Sequence, residues 1–351
     1  MASMQEAPRH PPRPAFEPAP LEWTQRSMEV DPGVVYPVER IEAEHERRGL
    51  GAWVEYLLLR GAQACLGGLP LAVLDVLLAP ILWVVMRLDR RHTRSADDFI
   101  HSALPELSAR ERRRMILASW QHFISVVLRG VRIGNLTGEP LGKHFEVRVS
   151  AAAREVIDAG EGFVLATAHI GNWEAIGLAF QALKVSPFYA IGRVMKNEPL
   201  SRHLQRTRER TGGIMLARAG AMKGAPKVIR SGGCVMMLLD HRSRKKPVWA
   251  PFFGRPAACD RSAGVLLRRL GAPILFAACY DQRGADQPFR LELGTVLRPE
   301  DLGGGGPEGI ASRVNHELEQ LILAEPSQYF WLHDRFKDAP ATFAELQAQS
   351  D

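Results

Sequence analysis

The chain has 351 residues, of which 46% are hydrophobic, 24% charged and 7% aromatic. At about 150 residues per domain this suits two domains, or one large α/β domain with extensions, and the composition excludes a disordered, collagen-like or polytopic membrane chain. A net charge of +6 favours an anionic surface without naming it, and four cysteines, Cys65, Cys234, Cys259 and Cys279, are too scattered for a disulfide framework or a zinc knuckle and suit a reducing compartment.

In chain order, MASMQEAPRHPPRPAFEPAP opens the sequence, rich in proline and without the apolar core of a signal peptide. Residues 1–48 are therefore expected to form a disordered, polar tail. The most apolar stretch follows, Gly61 to Met86, GAQACLGGLPLAVLDVLLAPILWVVM, with Asp75 as its only formal charge. As one helix it would reach about 39 Å, against a hydrocarbon layer of about 30 Å. Its twelve Leu, Val or Ile residues, at roughly −0.3 to −0.6 kcal/mol each, outweigh roughly +3 kcal/mol for a central Asp. Pro70 and Pro80 would kink or split such a helix, so two helices lying in the interface, or a buried pair under the main domain, stand beside a true span.

Arg87, Arg90, Arg91 and Arg94 come directly after this run, whereas Glu22 to Arg48 carries seven acids against four arginines. That asymmetry favours the cytoplasmic side for the following domain, touching anionic head groups; a solvated helix face would carry the same arginines. SARERRR, with Ser108 three residues before Glu111, is the signature of a capped surface helix. Residues 49–135 are thus expected to be a helical, membrane-associated region.

From Phe163 onward short apolar runs alternate with helical segments. FVLATA (163–168), FYAI (188–191), IMLA (214–217), CVMMLL (234–239), ILFAACY (274–280) and FRLELGTVL (289–297) have the pattern of strands. After Pro307, Ile310, Val314, Leu318, Leu321 and Ile322 recur at helical spacing, and GGGG at 303–306 is a loop. The expectation is an α/β domain over 136–340, its mostly parallel central sheet covered by helices on both faces, preceded by the apolar helical segment and followed by a tail at 341–351.

The chemistry concentrates in EGFVLATAHIGNWEAIGLAF, Glu161 to Phe180. An apolar strand delivers His169 to its carboxyl end, where ligand and catalytic groups gather in parallel sheets, and a helix begins within three residues. Gly171 permits a tight turn, Asn172 is a plausible N-cap, and Glu174 falls in the first helical turn. Glu174 would hold one imidazole N–H and leave the other nitrogen free to deprotonate a substrate hydroxyl. A capping carboxylate beside a histidine that satisfies a turn would use the same spacing.

The residues go further than the spacing. HIGNWE, a His169-x-x-x-x-Glu174 block, resembles the HX4E block of the lysophospholipid acyltransferase superfamily, and its Gly-Asn-Trp interior is similar to the bacterial lipid A lauroyl/myristoyl acyltransferase branch. GRVMKNEPL (192–200) with RTRERTGG (206–213), LLDHR (238–242) with VWAPFFGRPA (248–257), and QYFWLHDRFK (328–337) resemble that branch's further blocks in the same order. The resemblance spans roughly Trp53 to Lys337. It implies that His169 is the catalytic base and Glu174 its orienting partner, that Arg193 grips an anionic head-group oxygen, that backbone N–H groups near Asn172 meet the oxyanion, and that Asp240 positions a substrate hydroxyl or a neighbouring arginine. It also implies acyl carrier protein or acyl-CoA as acyl-donor co-substrate, a glycolipid or lysophospholipid acceptor, and no cofactor. His241 stands where the branch often has glutamine, Ala258-Cys259-Asp260-Arg261 replaces small hydroxylated residues, and Asp334 stands where a basic residue is common; Trp331, His333 and Arg335 are read as structural.

Other classes fit less well. No G-x-S-x-G elbow follows a strand, the eleven histidines show no metal-ligand spacing, and no nucleic-acid motif accompanies the arginines. A catalytically inactive, membrane-anchored lipid-binding or scaffold protein is the alternative to an enzyme.

Overall fold

A computed structural model describes residues 13–26, 47–133, 135–136, 138–192, 195–218, 220–302 and 306–348. A two-residue strand, β1 (Glu17–Pro18), and a single turn, α1 (Leu21–Thr24), precede four helices: α2 (Leu50–Leu66), α3 (Leu71–Leu88), α4 (Arg90–Ala103) and α5 (Ala109–Ile133). After another turn, α6 (Leu141–His144), strands and helices alternate as β2 (Phe145–Val149), α7 (Ala151–Asp158), β3 (Phe163–Thr167), α8 (Trp173–Ala182), β4 (Phe188–Gly192), α9 (Glu198–Arg210), β5 (Gly213–Ala217), α10 (Ala221–Arg230) and β6 (Cys234–Leu238). A hairpin, β7 (Val248–Phe252) with β8 (Arg255–Cys259), then leads to α11 (Ser262–Leu270), β9 (Ile274–Asp281), β10 (Phe289–Leu297), α12 (Pro307–Ala324) and α13 (Phe343–Ala348).

Eight strands form one sheet in the order β1-β2-β10-β9-β3-β6-β4-β5. The five from β9 to β5 are mutually parallel, β10 runs antiparallel to β9, and β2 follows β10 in parallel. All six runs read as strands from their apolar character lie in this sheet. β2 and the β7–β8 hairpin escaped that reading because FEVRV is a short alternating run and RPAAC begins with a charge and a proline.

Along β3 the side chains divide between two cores, as strand alternation requires. Val164 and Ala166 pack with Ala225, Val228, Leu266 and Leu318 from α10, α11 and α12. Phe163 and Leu165 pack on the other face with Ala153 and Val156 of α7 and Ile176 and Ala179 of α8. Helices therefore cover both faces. In α12 the periodic residues Ile310, Val314, Leu318, Leu321 and Ile322 are all buried, and α12 starts after Gly306; residues 303–305 of the expected glycine loop lie outside the described residues.

The N-terminal expectation needs correction over residues 13–26; residues 1–12 and 27–46 of that segment lie outside the described residues. Within the segment read as a disordered tail, β1 pairs antiparallel with β2 at the sheet edge, Trp23 is buried with its Nε1–H donating to Asp158 at 3.2 Å, and Arg13 pairs with buried Glu292 at 2.7 Å. Proline bars a central strand but tolerates an edge, so a proline-rich composition did not prevent pairing. At the other end Phe343–Ala348 forms a short helix where a tail was expected.

The apolar run is two helices rather than one. GGLP breaks it between α2 and α3: Gly67 lies so close to α5 that a Cβ there would fall 2.7 Å from the Leu128 carbonyl oxygen, and Pro70 starts α3. Pro80 sits inside α3 without ending it. Leu74, Leu78, Leu82 and Met86 form a buried stripe on α3, the first three packing on Leu128 and Trp120 of α5. Val76, Ile81, Trp83 and Leu88, with Leu57 and Leu58 of α2, are exposed. Among the described residues α3 alone is long and apolar enough to cross a membrane, with 18 residues, a mean hydropathy of 2.2 and 22% of it buried. Asp75, the charge in its interior, is ion-paired with Arg283. Ser108 and Glu111 cap α5 reciprocally, the Ser108 N–H donating to Glu111 at 2.8 Å.

Candidate active site

Sheet register builds the site. β3 and β6 are adjacent and parallel with Thr167 opposite Leu238, so the residues two positions beyond each strand, His169 and Asp240, emerge side by side at the carboxyl edge. Asp240 is buried and accepts both the His169 backbone N–H at 3.0 Å and its ring Nδ1–H at 2.9 Å. Nδ1 thus carries the proton, and Nε2 is left as the acceptor on a ring whose side chain is 33% exposed. Burial opposes the charge of Asp240, but the His169 ring and its two hydrogen bonds outweigh burial and hold the carboxyl far below its usual range. Burial likewise opposes charging His169, and Asp240, helped by Glu174, raises the imidazole above its ordinary value.

The turn that follows is held from three sides. Gly171 has φ +56°, and a Cβ there would meet the Cys279 carbonyl oxygen at 2.1 Å, so glycine is required. The Asn172 N–H donates to that same carbonyl at 2.5 Å, and the Gly171 carbonyl accepts from His122 of α5 at 2.9 Å. Phe330 donates its N–H to the His169 carbonyl at 3.0 Å, and Ser119 of α5 ties down the Tyr329 carbonyl at 2.7 Å. α5, from the helical region, therefore buttresses both the Gly171 turn and the Tyr329 segment beside it.

Two expected roles change. Glu174 does not bond to His169; its carboxylate takes the Arg208 guanidinium in a bidentate pair, Nε to Oε2 at 2.9 Å and Nη2 to Oε1 at 2.5 Å. As a residue of the first turn of α8 it points toward α9, which carries Arg208 past it. Burial pushes Glu174 up, but Arg208 outweighs it and keeps the carboxylate below its ordinary value. Asp240 is the hydrogen-bond partner of the histidine, the place expected for Glu174. Asn172 is the N-cap residue of α8 by position, but its side chain makes no capping bond and its backbone N–H is already committed to Cys279. That N–H cannot meet an oxyanion; the next two, of Trp173 and Glu174, come before the first bond of the helix, which Ala175 makes to the Asn172 carbonyl at 3.0 Å. β4 ends at Gly192, and Arg193 lies outside the described residues.

Arg208 went unmarked in the sequence because RTRERTGG offers three alternating arginines, and nothing local says which one faces α8. His122 had no local signal at all. In the C-terminal block, Trp331 donates its indole N–H to Pro326 at 2.7 Å, buried Arg335 donates to Ala258 at 2.7 Å and to the Cys259 sulfur at 3.2 Å, and His333 accepts the Arg242 N–H at 3.1 Å. Burial first, and then neighbouring cations, push His333 down to about 4 against the pull of Asp240, so it stays neutral behind the pair.

An aspartate-held histidine at the carboxyl edge of a parallel sheet, its second nitrogen open, can remove a proton from a hydroxyl. The family model of bacterial lipid A biosynthesis acyltransferases matches residues 41–338. The chain belongs to this family. It is similar to the lipid A biosynthesis lauroyltransferase of Escherichia coli K12, 25% identical over 264 residues that cover 73% of this chain and 83% of the relative. It is also 25% identical over 241 residues to the lipid A biosynthesis palmitoleoyltransferase of the same strain, covering 67% and 76%. A lipid A biosynthesis acyltransferase of Haemophilus influenzae is 28% identical over 123 residues, covering 34% and 38%. This lipid A acyltransferase family member is an acyltransferase, and its HX4E block is the turn that His169 opens and Glu174 closes.

Proposed function

We propose that the protein moves a fatty acyl chain from an acyl thioester, of acyl carrier protein or coenzyme A, to a hydroxyl of a lipid A-type glycolipid at the cytoplasmic face of the inner membrane. The observation that carries this reading is the Asp240-held His169 at the sheet's carboxyl edge, with no partner for Nε2 among the described residues. His169 Nε2 takes the proton of the acceptor hydroxyl as its oxygen attacks the thioester carbonyl, and Asp240 stabilises the imidazolium that forms. The first-turn N–H groups of Trp173 and Glu174 receive the oxyanion. As the intermediate collapses, the C–S bond breaks, the ester remains on the acceptor, and the thiolate takes the proton back from His169. Glu174 acts through Arg208 and through its field on His169, and Arg193, next after β4, grips the acceptor's phosphate. The exposed apolar faces of α2 and α3 support seating at a bilayer surface.

The test is whole-lipid mass spectrometry of a lipid A-producing host expressing wild type or His169→Ala at matched levels. A glycolipid that gains one acyl chain only with wild type supports the reading and identifies acceptor and chain length. Equal acylation by a folded His169→Ala protein overturns it.

A further inference from the structure

A groove of about 530 Å³ lies where α3, α4 and α5 meet, lined by Met86 and Arg87 at the end of α3, Arg90, Thr93, Arg94 and Asp97 on α4, and Ala109, Arg113 and Ile116 on α5. That is the size of a small-ligand site. Met86 and Ile116 are buried and apolar, while the four arginines are exposed. Among the described residues none of these arginines pairs with a carboxylate: Arg87 stacks on Trp83 at 3.5 Å, and Asp97 is already held by Arg112 at 2.8 Å. Four uncompensated guanidinium groups around one cleft repel one another unless an anion sits among them, and their planar forks suit phosphate oxygens. The exposed apolar run of α3 ends at Leu88, two residues before Arg90. A ligand that satisfied both features would be amphipathic, with phosphate in the cleft and hydrocarbon along α3.

We infer that this groove binds the phosphate of an anionic bilayer phospholipid, with its acyl chains against the solvent-facing side of α3. The site contains neither His169 nor any group that serves it, so it goes beyond the proposed transfer reaction and is separable from it. It gives the catalytic domain a fixed height and rotation on the membrane, because α4 continues from the groove into the Phe99 contacts with Tyr329 and Trp331 beside the active-site turn.

The experiment compares binding of the full chain to nanodiscs of phosphatidylcholine alone and of phosphatidylcholine with phosphatidylglycerol, for wild type, R90Q/R94Q/R113Q, and the control K223Q/K227Q/R230Q, which removes equal charge from α10. Wild type should prefer the anionic discs; the groove variant should lose about a hundredfold of that preference, roughly fivefold per arginine, and the control should keep it. A groove variant that keeps the preference, or a control that loses as much, overturns the inference. So does arginine-dependent binding of inorganic phosphate without discrimination between discs, or loss of acyl carrier protein binding with disc binding unchanged. Repeating the series in His169→Ala keeps the result independent of turnover.

Discussion

The carboxylate of Asp240 meets His169 twice, at the backbone N–H at 3.0 Å and at ring Nδ1 at 2.9 Å. One buried group therefore sets the position of the residue and the tautomer of its ring. Asp240→Asn removes the charge and lets an amide N–H face Nδ1. We expect kcat to fall about 10²- to 10⁴-fold, the scale of general-base loss. Asp240 raises the imidazole, and the base works only when neutral, so activity rises with pH through that value. In Asp240→Asn the acidic limb of residual activity should move to lower pH, and a pH profile of kcat/KM reads it; an unmoved limb would remove Asp240 from the base.

Glu174 and Arg208 form a bidentate pair that is about three-quarters shielded from solvent. Glu174→Gln and Arg208→Gln should each lower activity, and the double variant should do little worse than either single one. A double-mutant cycle on kcat/KM with coupling on the order of 1 kcal/mol is expected. Strict additivity would mean that Glu174 acts at the substrate by itself.

Gly171→Ala puts a methyl group 2.1 Å from the Cys279 carbonyl oxygen at a positive φ. The turn must open, and the Asn172–Cys279 and His122–Gly171 bonds open with it. Destabilisation on the order of 3 kcal/mol or more is expected, with activity lost. A thermal-shift measurement checks it; a wild-type midpoint would show that the turn is not bound to β9.

Glu319 of α12 accepts the Phe253 N–H at 2.7 Å, and burial pushes its carboxyl up to about 7 from an ordinary 4.5, with the Phe253 bond pulling the other way. The folded chain binds this proton more tightly than the unfolded chain. Its stabilising contribution is therefore full below about pH 4.5 and is lost as pH rises through about 7. Thermal midpoints from pH 5 to 8 should decline more steeply for wild type than for Glu319→Gln. Parallel slopes would show that this carboxyl does not titrate in the folded protein.

Much of this molecule is local and was legible as such. The six apolar strands, the amphipathic period of α12, the capping box of Ser108 and Glu111, and the HIGNWE turn depend on residues within a few positions of one another, and their propensities agree with where the chain puts them. HIGNWE also placed His169 at a strand end and Glu174 in a first helical turn. The tertiary structure decided which charges meet. His169 and Asp240 are 71 positions apart and become neighbours only because β3 and β6 pair in parallel with Thr167 opposite Leu238. Glu174 and Arg208 meet because α8 and α9 converge, not because of any spacing. The same holds for β1 on the edge of β2 and for the arginine groove, whose walls come from three helices. Spacing reports which face of an element a side chain occupies; only packing reports what lies opposite that face, and the His169–Asp240 and Glu174–Arg208 pairs rest on what lies opposite.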